Sequence, residues 1–392
     1  MRICHVITRM IIGGAQENTA LSCAGLAERG HTVTLATGPE TGPEGSLIDE
    51  ARAGGYDLRI VRSLRRSVHP LRDWKARREL MALFREIRPD IVHTHSSKAG
   101  VLARLAARDA SVPIIVHTIH GMSFNRTQPW PVRALYRGLE VHCARFTDRI
   151  ISVADAMTRQ AEAAGLKPRT GFTTIYSGMR TDWFDPARHD RRTVRRDWGF
   201  DDEQIVVGTI ARLFRNKGYE QLIPAMVEAA RRNGRLRFLW VGDGAQRPEY
   251  EARLECLSLH GRVHMAGLIP PGQIPAALAG MDILVHASQW EGLPRAAAQA
   301  LLMRKPVISF DIDGAPEVVI PGRTGLLVPL NDVRALADAM VELATDPARR
   351  QVMGQAGREL CLRRFDAASM IDRLEQVYNE LAGRCTEQHP AG

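Results

Sequence analysis

Short runs of β-branched residues alternate with amphipathic helical stretches along the whole chain, and the alternation restarts once, near residue 205. The first cycle offers strands at 2–8 (RICHVIT), 31–37 (HTVTLAT), 58–62, 90–96 (DIVHTHS), 113–120 (PIIVHTIH) and 149–154. Helical patterns such as 17–30 and 97–110 fall between them. The second cycle offers strands at 205–212 (IVVGTIAR), 236–242, 262–268, 282–288 (DILVHAS), 306–310 and 325–330. Strands separated by helical segments of about ten to fifteen residues pair in parallel through right-handed crossovers. The fold class expected is therefore α/β, with two Rossmann-like, doubly wound parallel-sheet domains facing a central cleft. In such sheets ligands gather where strand C-termini converge.

Residues 176–204 are charged and turn-rich without a sustained period, and read as an interdomain connection with a short helix. The expected division is 1–180 and 181–365, with a closing helix at 366–385 that packs back on the first domain. The length of 392 residues suits two or three domains of about 150 residues each.

Net charge is +9 and is unevenly spread, with ten Lys and Arg against three acids between Arg59 and Arg88. A basic stretch of this kind suits a phosphate-rich surface, or is simply a solvated helix face. Six scattered cysteines without a CxxC pair argue against a zinc site or a disulfide framework and fit a reducing cytosol. No run of about 18 apolar residues exists, and the N-terminus lacks the long apolar region of a signal peptide. A cytoplasmic protein is expected.

Gly13 and Gly14 follow the first strand and precede a helix, where free amides and the positive helix end can meet an anion. Neither a G-x-G-x-x-G fingerprint nor a Walker lysine loop is present, which disfavours a nicotinamide enzyme and a P-loop ATPase. Arg212 falls at the end of a strand and Lys217 just before a helix, so the two cations can clamp a diphosphate. His93, His95, His117, His120 and His286 cluster near strand ends. His120 looks placed to bond a polar ligand, while His93 and His117 read equally as satisfied strand residues. In SQWEGLPRAAAQALL (288–302), Pro294 suits the first helical position. The Gly292 and Leu293 amides would then face a phosphate, while Glu291 accepts from sugar hydroxyls. Asp311-Ile312-Asp313 has the D-x-D spacing of metal-dependent sugar transferases but stands in the wrong context, so no metal is expected.

Placed together, these pieces resemble retaining glycosyltransferase family 4, whose architecture is GT-B. The matching stretches are IIGGAQ, HTHSSKAGVLARLAA (93–107), HTIHGMSF (117–124), IYSGMRTDWFDP (175–186), ARLFRNKG (211–218), VGDG (241–244), SQWEGLPRAAAQAL (288–301) and GAPEVV with GRTGLLVP (314–329). They are most similar to members that build bacterial surface polysaccharides such as exopolysaccharide, capsule or lipopolysaccharide. The resemblance implies transfer from a nucleotide-sugar, a UDP-sugar, to a glycan or polyprenyl-diphosphate-linked acceptor, without cofactor or metal. It implies that Gly14 contacts donor phosphate and the acceptor side. His120 would contact the donor sugar, Arg212 and Lys217 the diphosphate, and Glu291 with the Gly292 and Leu293 amides the sugar and phosphate. The family's second acid, eight positions after Glu291, binds the ribose; here it is Gln299, and the pattern is broken.

In this family the N-terminal domain commonly meets the cytoplasmic leaflet, which here would involve Arg65, Arg66, Arg72, Trp74, Lys75, Arg77 and Arg78. Peripheral attachment to anionic lipid on the inner face of the cytoplasmic membrane is expected, and nucleic acid is not, since no recognition motif appears. Two rival readings remain at this point. One is a GT-B epimerase acting on a UDP-sugar at carbon 2, and the other a non-catalytic nucleotide-sugar-binding relative.

Overall fold

The structure is a computed structural model that describes residues 1–39, 42 and 45–388, of which 385–388 are described by backbone alone. The chain divides into two compact units, Met1–Gly178 with the segment from Ala367 onward, and Met179–Asp366.

The first unit holds one parallel sheet of seven strands: β1 (Arg2–Ile7), β2 (Thr32–Thr37), β3 (Asp57–Ile60), β4 (Ile91–His95), β5 (Ile114–Ile119), β6 (Arg149–Ser152) and β7 (Phe172–Thr174). Their order is β3-β2-β1-β4-β5-β6-β7, so the winding reverses between β1 and β4. The central strands are buried on both faces, as a sheet sandwiched by helices requires, although β1, β4 and β5 carry histidines among their buried positions. Ile3 and Ile7 point into a core closed by the helices Gly14–Glu28 and Ala367–Gln388. Cys4 and Val6 alternate with them into a second core under the helices Pro70–Ile87 and Ser97–Asp109. Gly100 on the latter helix has a local reason: a Cβ there would stand 2.7 Å from the His117 ring.

The second unit repeats the plan with six parallel strands: β8 (Ile205–Ile210), β9 (Leu236–Val241), β10 (Val263–Gly267), β11 (Ile283–His286), β12 (Val307–Phe310) and β13 (Gly325–Val328). The order β10-β9-β8-β11-β12-β13 places the reversal between β8 and β11. Residues 176–204 contain two short 3-10 turns and the helix Arg191–Asp197. No helix among the described residues is long and apolar enough to cross a membrane. Cys4, Cys23, Cys143, Cys256 and Cys361 are unpaired, and the side chain of Cys385 lies outside the described residues.

Candidate active site

In the second unit the chemistry gathers at the winding reversal, where two neighbouring strands send their connections in opposite directions. Past β8 the chain runs through Arg212 and a single 3-10 turn, Arg215–Lys217, to Gly218. Gly218 sits at φ 77, and a Cβ on it would fall 1.8 Å from the Ala287 carbonyl oxygen. Glycine alone fits here, and it lets the loop after β8 lie directly on the loop after β11. The Gln289 amide completes the clasp by donating to the Asn216 carbonyl at 3.0 Å. Gly242 and Gly244 of VGDG are packing residues, since a Cβ on either would strike the Ala211 or Leu213 carbonyl.

This clasp joins Lys217 to Glu291. The ammonium Nζ donates to Glu291 Oε1 at 2.5 Å, with 16% and 18% of the two side chains exposed. His286, the last residue of β11, has Nε2 3.4 Å from the same oxygen, within its field though not aligned as a hydrogen bond. Burial by itself would raise the Glu291 carboxyl. The charge of Lys217 and the contact with His286 outweigh it and hold the acid well below the usual carboxylate range. Glu291 is thus a fixed anion, an acceptor with oxygens to offer. The guanidinium of Arg212 lies over the Phe214 ring at 5.0 Å.

Asp313 has a role that the D-x-D reading did not foresee. It follows β12 in a left-handed conformation at φ 46, and its Oδ2 accepts the Glu291 amide at 2.8 Å. The aspartate therefore pins the acid loop. Among the described residues the one cluster of three potential metal-ligating side chains is His5, His93 and His95, and it includes neither Asp311 nor Asp313.

The helix after Glu291 begins one residue later than expected. It spans Arg295–Leu302, with Pro294 as its N-cap at φ −74 and ψ 88. An N-cap proline offers no side-chain acceptor, so the helix entrance has no side-chain cap. The buried Gly292 and Leu293 directly precede it, and Gln299 is half-buried on the same helix.

In the first unit Gly14 opens the helix Gly14–Glu28, and Gly13, its N-cap, supplies no side-chain cap. The amides of this first turn can therefore meet an anion. His120 stands one residue past β5, with Nε2 3.0 Å from His95 Nδ1. His93 and His117 are buried and bonded, His93 to Thr118 and Tyr378 and His117 to Thr94. Sequence reasoning missed His5 and Tyr378, which join this histidine group from β1 and the last helix.

The basic stretch divides in a way its composition hides. Leu64, Leu80, Leu83 and Phe84 are core residues and are not available to lipid. The exposed set is Val68, Leu71 and Trp74, and it stands in the same stretch as Arg65, Arg66, Arg72, Lys75 and Arg78. Arg78 lies over the Trp74 ring at 4.8 Å, and Arg77 is tied to Asp109.

This is the fold of a sugar-transferring enzyme, and the comparisons agree. The family model described as Glycosyltransferase Family 4 matches residues 12–183, and that described as Glycosyl transferases group 1 matches 190–360. The chain belongs to these glycosyltransferases and has the GT-B fold. It is 27% identical over 394 residues to the UDP-Gal:alpha-D-GlcNAc-diphosphoundecaprenol alpha-1,3-galactosyltransferase of Escherichia coli, covering 97% of both chains. It is 22% identical to the capsular polysaccharide biosynthesis glycosyltransferase CapM of Staphylococcus aureus, over 83% of this chain and 86% of that one. The structure of HepE from Anabaena in complex with UDP and glucose superposes with a TM-score of 0.83 at 20% identity, covering 97% of this chain and 100% of that one.

Proposed function

We propose that this glycosyltransferase moves a sugar from a UDP-sugar, with retention at the anomeric carbon, to a glycan or polyprenyl-diphosphate-linked acceptor in the synthesis of a bacterial surface polysaccharide. The observation that carries the reading is the Lys217–Glu291–Asp313 convergence at the reversal of the second sheet, with Arg212 on the same loop as Lys217. The names of the relatives, which include a UDP-galactose enzyme and a capsule enzyme, support the substrate class.

Glycosyl transfer builds an oxocarbenium-like state while a diphosphate departs. An ammonium has three donors, so Lys217 can keep Glu291 and still meet a phosphate oxygen. Arg212 supplies a second fixed cation, and the Gly292 and Leu293 amides lie at a helix entrance that favours anions. Glu291 accepts from sugar hydroxyls, as an anion held in place by Lys217 from one side and Asp313 from behind. Gln299 takes the ribose hydroxyls with its amide oxygen. In the first unit Gly14 meets donor phosphate and the acceptor side, and His120 contacts the sugar. The leaving phosphate oxygen receives the acceptor's proton.

Two protein cations meet the departing charge, so transfer proceeds without a divalent ion. The exposed Val68, Leu71 and Trp74, in the same stretch as Arg65, Arg66, Arg72, Lys75 and Arg78, hold the first unit against the anionic inner leaflet. Each basic residue near such a surface contributes about 1 kcal/mol. Calorimetry with UDP-, GDP- and dTDP-sugars in EDTA tests the donor, and binding confined to GDP- or dTDP-sugars contradicts it. Incubation of the preferred donor with and without acceptor separates transfer from epimerisation. Sedimentation with anionic vesicles at low and high salt tests the attachment, which no binding at low salt would exclude.

A further inference from the structure

One face of the first sheet carries an in-register row of imidazoles. Ile3, His5 and Ile7 alternate on β1, His93 and His95 share that face on β4, and Thr118 and His120 continue it on and just past β5. His5 pairs with His93 in the ladder, and His95 with Thr118. The helix Ala367–Gln388 covers this face and brings in Tyr378, whose side chain is fully buried.

The polar atoms form one unbroken chain. His120 Nε2 lies 3.0 Å from His95 Nδ1, and His95 Nε2 lies 2.9 Å from His5 Nδ1. His5 Nε2 is 3.5 Å from the Tyr378 hydroxyl, which is 2.5 Å from His93 Nδ1. His93 Nε2 ends the row 2.6 Å from Thr118 Oγ1. Burial pushes His5 down to about 3 and, with the neighbouring histidines, holds His93 and His95 well below the usual range. All three are neutral, and a neutral imidazole has one donor and one acceptor nitrogen. Both nitrogens of each ring are engaged, so every bond must run in the same direction.

The Tyr378 hydroxyl chooses that direction. Its one proton belongs to the 2.5 Å contact with His93 rather than the 3.5 Å contact with His5. Its oxygen therefore accepts from His5 Nε2–H, His5 Nδ1 accepts from His95 Nε2–H, and His95 Nδ1 accepts from His120 Nε2–H. We propose that Tyr378, acting through His5 and His95, is a positioning residue that fixes His120 as its Nε2–H tautomer. The consequence for catalysis rests on His120 contacting the donor sugar; the tautomer itself does not. Metal-ligand atoms of His5, His93 and His95 also lie within 4.8 Å of one another, but the ring nitrogens are already committed to this chain.

Long-range proton–nitrogen spectra of the full chain labelled at histidine test the assignment without any substitution. The expected result is Nε2–H for His5, His93, His95 and His120, and an Nδ1–H signal for His120 overturns it. So does a stoichiometric metal in the purified protein whose removal changes those signals. Tyr378→Phe keeps the ring and removes the acceptor of His5, so His120 should gain Nδ1–H population. With it kcat should fall about tenfold, the equivalent of one neutral hydrogen bond, while UDP affinity stays within about twofold. Unchanged histidine signals in the variant overturn the relay. If His120→Ala turns over normally, it is the sugar contact that fails, and the spectra still decide the tautomer.

Discussion

Lowering the pH should unfold the first unit well before its carboxylates titrate. His5, His93, His95 and His117 are fully buried and neutral, with protonation held far below the ordinary value of 6.5. Their folded pKa values are depressed, so below 6.5 the unfolded chain binds protons that the folded chain refuses. Stability is therefore fully present above 6.5 and is lost as pH falls from there toward the folded values. Each such proton lowers stability by about 1.4 kcal/mol per pH unit, and four give a limiting slope of about 5 kcal/mol per unit. Integrated from pH 7.5, the loss is about 3 kcal/mol at pH 6 and about 8 kcal/mol at pH 5. A domain with about 5–15 kcal/mol in hand cannot absorb much more than that. Urea titrations at half-unit steps from pH 7.5 to 5 give the slope, and hydrogen exchange of β1, β4 and β5 amides assigns it to the first unit. A loss under about 1 kcal/mol by pH 6, or one confined to the second unit, would refute the neutral buried cluster.

The clasp of the second unit should be sensitive to one methyl group: Gly218→Ala forces a Cβ onto the Ala287 carbonyl at a positive φ. The expected cost is about 2–4 kcal/mol of stability with at least tenfold lower donor affinity, checked by thermal unfolding and calorimetry. Gln299→Glu restores charge assistance to the ribose contact, so donor affinity should rise by about tenfold or less with turnover nearly unchanged. A turnover gain above about a hundredfold would mean that Gln299 limits the chemistry. Lys305 is half-buried with its ammonium donating to the Ala279 carbonyl, and desolvation pushes it down to about 8. The folded value lies below the unfolded 10.5, so stability should rise with pH between about 8 and 10.5. Urea unfolding should show wild type gaining stability relative to Lys305→Met over that window.

The strands were legible almost to the residue because parallel sheets bury both faces and leave uninterrupted β-branched runs. β7 was not: Phe172–Thr174 is three residues long, half-buried, and has no period to detect. Arg212, Lys217 and Glu291 could be named from loop position and charge. The Lys217–Glu291 contact could not, because it depends on β8 lying beside β11, a pairing that skips two strands in sequence. Asp313 looked like half of a metal motif, and only the bond to the Glu291 amide shows its place. Tyr378 lies 373 residues from His5 and reads as an ordinary helical core residue until the last helix is seen across β1. In the basic stretch Leu80 and Leu83 follow the helical period into the core, while Leu71 and Trp74 stay exposed.

Most directly at stake is whether Arg212 and Lys217 carry the departing diphosphate. Turnover of Arg212→Ala and Lys217→Ala, measured in EDTA with the preferred nucleotide-sugar and a lipid-linked acceptor, addresses it. Loss of a preorganised cation should slow each variant by about a hundredfold or more. Near-normal turnover in either variant, or a wild-type enzyme silent until a divalent ion is added, would contradict the account.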